Sequence, residues 1–74
     1  MKTIFIKEKS ILLGQFLKFS GIIGNGGEAK FFLAENEVFL NGELENRRGK
    51  KLFNGDVLVV NGQKYLIRES DSEN

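Results

Sequence analysis

Seventy-four residues make one small domain, near the lower limit for a chain that folds without covalent staples. The absence of Cys and His excludes disulfides, thiolate or imidazole metal sites, and Cys-His or Ser-His catalysis together. The net charge of +1 comes from 11 basic and 10 acidic residues; removing Glu69, Asp71 and Glu73 from the acidic count leaves 7 against 11, so residues 1–68 carry +4.

Residues 1–68 therefore read as a single domain, and residues 69–74 as an acidic tail with nothing apolar to bury, expected to be disordered. The apolar start, Met1-Lys2-Thr3-Ile4-Phe5-Ile6, is too short for a signal peptide, and no run reaches membrane-spanning length. A cytoplasmic protein without a membrane partner is the expectation.

Alternation of Ile4 and Ile6 with Phe5 predicts a short strand over 3–7. After Ser10, a plausible cap, the spacing of Leu13, Phe16 and Leu17, and of Leu12, Phe16 and Phe19, predicts an amphipathic helix that stops at Gly21. Gly14 weakens such a helix, which hints that another backbone comes close there. Gly24-Asn25-Gly26-Gly27 is a turn, and Asn25 with Glu28 resembles a capping box opening a second helix through about Glu35. Ala29, Phe32 and Leu33 form its apolar stripe, and Asn36 suits a left-handed position after it.

From Glu37 the period becomes two. Asn41-Gly42 predicts a hairpin between Val38-Phe39-Leu40 and Glu43-Leu44-Glu45, and Asn61-Gly62 a second one joining Val57-Leu58-Val59-Val60 to Gln63-Lys64-Tyr65-Leu66-Ile67. The order is β-α-α-β-β-β-β, an α+β domain with two packed helices and a small, mostly antiparallel sheet. Phe16, Phe19, Phe32 and Phe53 are expected in the core and Tyr65 half-buried, which leaves Phe31 and Phe39 as the aromatic candidates for base stacking.

Between the hairpins, Asn46-Arg47-Arg48-Gly49-Lys50-Lys51 carries four positive charges and no negative one. Arg donates two hydrogen bonds to adjacent phosphate oxygens, and Lys adds point charge that releases counterions from a nucleic-acid backbone. Gly26 and Gly27 at the start of a helix would let a phosphate approach backbone amides, with Lys30 one turn in and Lys18 bordering the surface. Each of these also has a plainer reading, as a turn or an exposed lysine. Ser10 and Ser20 have no base partner, Gly24-Asn25-Gly26-Gly27-Glu28 lacks the ending of a Walker loop, and no EF-hand spacing is present. Binding without catalysis, cofactor or metal is the expectation.

Taken in order, these motifs resemble the S4 RNA-binding domain. Leu13-x-x-Phe16-Leu17 is similar to its first-helix core, and Asn25-Gly26-Gly27-Glu28-Ala29-Lys30 stands where the family has a Ser-Arg-Ser-Glu-Ala-Arg type segment. Val38-x-Leu40-Asn41-Gly42 and Gly55-Asp56 match its strand, turn and closing pair. The resemblance covers about residues 12–60, and Gly26-Gly27-x-Ala29-Lys30 with Asn41-Gly42-Glu43 and Arg47-Arg48-Gly49-Lys50-Lys51-Leu52 looks more closely like small stand-alone members called YaaA-like or YbcJ-like. Two usual RNA contacts depart from the pattern: the basic residue opening the first helix is Leu12, followed by Gly14 instead of an acid, and the loop Arg is Gly26. The resemblance implies a monomeric module for structured RNA, ribosomal or tRNA-like and in the context of the ribosome, with Lys30, Arg47, Arg48, Lys50 and Lys51 on the RNA side. Duplex DNA stays open as a partner because phosphate contacts carry no sequence information. A protein-interaction adaptor is the alternative. A ubiquitin-like sulfur carrier is rejected because Asp71-Ser72-Glu73-Asn74 stands where a Gly-Gly would be needed.

Overall fold

The computed structural model describes residues 1–70. Five strands form one mixed sheet in the order β1-β7-β6-β3-β4: β1 (Lys2–Ile6), β3 (Val38–Leu40), β4 (Glu43–Leu44), β6 (Val57–Val60) and β7 (Gln63–Glu69). All neighbours are antiparallel except β1, which runs parallel to β7. Two helices, α1 (Leu13–Phe19) and α2 (Ala29–Glu35), pack on one face of this sheet. Alternation decides that face: Val38, Leu58, Val60, Tyr65 and Ile67 point inward to meet Leu13, Phe16, Leu17, Ala29 and Leu33. Phe16 is fully buried with its ring edge-on to Tyr65, the centroids 5.3 Å apart. Such a pair adds about 0.5–1.5 kcal/mol to the burial of both rings. The α+β class and two-helix-plus-sheet order agree with the sequence pattern. No described helix is long and apolar enough to cross a membrane.

Both Asn-Gly hairpins form as expected. Asn41 and Asn61 each adopt φ of 51°, Gly42 and Gly62 follow with φ of 88° and 83°, and Leu40↔Glu43 and Val60↔Gln63 close the ladders. Gly21, at φ 84°, ends α1 in the left-handed region, where its amide donates to the Lys18 carbonyl and that of Ile22 to Leu17.

Several local expectations are corrected. Residues 10–12 are not helical: Ser10 lies in a strand, β2 (Ser10–Leu12), paired antiparallel with β5 (Lys51–Phe53), so it does not cap α1. Tertiary pairing overrides the helical spacing of Leu12 with Phe16. Consequently Phe19 and Phe53 are 64% and 50% exposed, since the core they were assigned to is filled from other positions, with Leu52 between its exposed strand neighbours. Tyr65 is buried and not half-buried. Asn36 is extended (φ −130°) and closes α2 with its side chain, Nδ2 donating to the Phe32 carbonyl at 3.0 Å. A 3-10 turn, Gly26–Glu28, precedes α2; the Asn25 side chain caps no amide, while Glu28 Oε1 accepts from the Gly24 amide at 2.8 Å. At the C-terminal end β7 continues through Glu69, and the Ser70 amide donates to the Ile6 carbonyl, so the domain reaches beyond position 68. The rest of the acidic tail lies outside the described residues.

One clasp ties the hairpin to the later strands. Asn41 Nδ2 donates to Asp56 Oδ1 at 3.0 Å, Asn41 Oδ1 accepts from the Val57 amide at 2.9 Å, and Asp56 Oδ2 accepts from the Phe53 amide at 2.8 Å. An Asn41→Ala substitution loses both side-chain bonds and strains a left-handed residue. It should lower the unfolding free energy in urea by about 1–2 kcal/mol. Asn61→Ala should cost less, because Asn61 has the same backbone conformation without a side-chain hydrogen bond among the described residues.

Candidate nucleic-acid interface

The basic segment between β4 and β5 is held by its main chain. The Leu13 amide donates to the Lys50 carbonyl at 2.8 Å and the Gly14 amide to the Arg48 carbonyl at 2.9 Å. These are first-turn donors of α1, which have no acceptor inside the helix. Gln15 Oε1 turns back to accept from the Leu12 amide at 3.0 Å. The loop closes on itself through the Lys50 amide and the Arg47 carbonyl at 3.1 Å. Gly14 is where the segments converge: a Cβ added there would stand 3.4 Å from the Cβ atoms of both Ala29 and Arg48. The close approach suggested by a glycine in the first turn of α1 is thus made by the basic loop.

Because carbonyls make these bonds, the basic side chains remain available. Arg47, Arg48 and Lys51 are exposed and Lys50 is half-buried. Ala29 touches the Gly14 position and is followed directly by exposed Lys30, and the Gly26–Glu28 turn packs against α1. The fold thereby brings Gly26, Gly27, Lys30 and residues 47–51 to the same end of the helix pair. Space beside Gly26 is open, but Glu28 sits in that turn with its carboxylate bonded to the Gly24 amide. The turn thus offers an anion backbone access next to a negative charge, and the positive charge comes from Lys30 and the loop. Lys18 goes elsewhere, lining a groove with Phe5, Ile6 and Phe19.

A residue that the charge count of 46–51 overlooks modifies the cluster. Glu45 accepts from Arg47 Nε at 2.9 Å, Arg47 Nη2 at 3.2 Å and the Arg47 amide at 3.1 Å. The fork that would grip a phosphate is already engaged by a carboxylate, whereas Arg48 and Lys51 have no ion-pair partner among the described residues. A carboxylate immediately before a basic run was the available signal.

The side-chain hydrogen bonds from Arg47 hold the Glu45 carboxyl below its usual value, and Glu45 in turn raises the Arg47 guanidinium. With a lowered folded pKa, the pair's contribution is complete above the ordinary carboxylate pKa and disappears as pH falls through the lowered one. The guanidinium is solvent-exposed while the Glu45 side chain is largely covered, and the consequence of the pair is to position Arg47. In an NMR titration of the Glu45 side chain, Arg47→Ala should move the midpoint upward, toward the ordinary glutamate range.

The S4 domain family model matches residues 4–68. A Bacillus subtilis (strain 168) protein described as probable ribosome maturation protein RlbA is 52% identical over 59 residues, covering 80% of this chain and 83% of that protein. With nearly all of its described length matched, and its basic loop, helix pair and hairpins arranged as above, the chain belongs to the S4 domain family.

Proposed function

We propose that this S4 domain is a non-catalytic RNA-binding module that holds a structured ribosomal RNA by phosphate and shape contacts, in the cytoplasm and as a monomer. The observation that carries this reading is the anchoring of a four-cation loop to α1 through the Arg48 and Lys50 carbonyls, which fixes the backbone without using the side chains and leaves those of Arg48 and Lys51 exposed. A pre-positioned set of cations loses less entropy on binding than a mobile loop would. Arg48, Lys51 and Lys30 take phosphates directly, Lys50 adds charge from a half-buried position, and Arg47 joins after exchanging Glu45 for phosphate. Gly26 and Gly27 present no side chain to obstruct the approaching backbone. That a relative is described as a probable ribosome maturation protein supports ribosomal RNA as the partner class.

With roughly three to five phosphates engaged, log affinity should fall with log salt at a slope of about −2 to −4.5. Arg48→Ala retains the carbonyl that caps α1, so it should weaken binding by on the order of tenfold at low salt without unfolding, and flatten the slope by about 1. Arg47→Ala should cost less, because its cation is already offset by Glu45, and Glu45→Gln should tighten binding. Anisotropy titrations of an RNA hairpin and a duplex DNA of equal charge check these expectations. Equal, weak binding to both that vanishes near physiological salt would overturn the RNA reading.

A further inference from the structure

A groove of about 810 Å³ opens between the N-terminal segment and α1, away from the basic loop. Phe5 of β1 and Phe19 at the end of α1 line it, 60% and 64% exposed. A small domain has few large apolar side chains to spare, and here two rings are left in water facing one groove. Lys7 and Lys18 also line it, against the single carboxylate of Glu8. Phe5 is in register with exposed Arg68 on β7, which sets a third cation beside the ring.

Aromatic rings with interleaved cations suit single-stranded nucleic acid, because every base has a face that stacks and every linkage has a phosphate. The volume falls within the range of clefts that enclose small molecules of nucleotide size. Strand β2 also leads from the groove to the proposed RNA surface. Strand β2 supplies Ser10 and Ile11 to the groove, while its last residue, Leu12, pairs with Lys51 of the basic cluster. One residue of strand, roughly 3.4 Å, separates Ile11 of the groove from Leu12. We propose that this groove takes unpaired nucleotides of the RNA whose folded part lies on the basic loop, with bases against Phe5 and Phe19 and phosphates beside Lys7 and Lys18. The assignment rests on the RNA-binding reading above and extends it from paired to single-stranded RNA.

The test compares one RNA hairpin in two forms, blunt and with a short single-stranded extension, by anisotropy with the full chain. The extension should tighten wild-type binding on the order of tenfold, in line with stacking energies. Phe19→Leu and Phe5→Leu keep apolar bulk but no aromatic face, and should lose most of that gain while binding the blunt hairpin normally. Phe19→Trp should keep it. Lys18→Gln, an exposed change away from the core, should remove part of it, and tests the groove even if a Phe variant is poorly folded. A wild type that binds both forms equally overturns the groove and leaves the RNA reading standing; binding to neither form overturns both. An extension effect untouched by all the variants places the single strand elsewhere. Leu variants that bind both RNAs like wild type but lose association with ribosomal particles would make the groove a protein-docking surface, and also overturn the proposal.

Discussion

The constraint on which the rest of this small domain depends is the capping of α1 by the loop that follows the first hairpin. A helix of seven residues has most of its first-turn amides without intrahelical acceptors, so it survives only if something else supplies them. Here the Lys50 and Arg48 carbonyls do so for Leu13 and Gly14, and Gln15 does so for Leu12. The same bonds fix the loop. Since β2 leads straight into α1 and pairs with β5 just beyond the loop, helix start, basic segment and two-stranded ladder form one unit closed over 35–40 residues of intervening chain. The crossing favours a small residue: a Cβ at Gly14 would already touch the Cβ atoms of Ala29 and Arg48 at 3.4 Å, and a longer side chain would have to pass between them.

A second unit is held by polar side chains. Asn41 and Asp56 belong to separate turns, but their amide and carboxylate meet and also collect the Val57 and Phe53 amides. The residues through which this chain resembles its family, Asn41-Gly42 and Gly55-Asp56, are therefore a structural clasp. They identify the fold and orient the hairpin from which the basic segment departs.

This division explains what could be read from the chain in advance. Asn-Gly turns and the left-handed Gly21 follow from local backbone preference, which a sequence displays directly, and a glycine in the first turn of a helix marks Gly14 as a point of close approach without naming its partner. The pairing of β2 with β5 joins residues some 40 positions apart and turned an apparent helix start into a strand; no local pattern announces it. The same pairing left Phe19 and Phe53 outside, because a helix that begins at Leu13 presents Leu13, Phe16 and Leu17 inward and has no room for Phe19 on that face. For the candidate site, composition and spacing revealed the basic run but not the orientation of its side chains. Engagement of Arg47 by Glu45 depends on a turn geometry that brings neighbours two residues apart face to face.

The departures of this chain from its family also take on a physical meaning. Where the resemblance sets a basic residue at the opening of the first helix this chain has Leu12, which on its own subtracts a cation from the start of α1. In the ladder, however, Leu12 is directly opposite Lys51. Paired residues share a face of the strands and stand about 5 Å apart, so a cation stands within one strand spacing of the vacated position. Gly14, in place of an acid, removes a negative charge from the helix start and lets Arg48 close in. The loop cations therefore stand beside the start of α1, and phosphate recognition responds to the field over such a region and not to one side chain's identity.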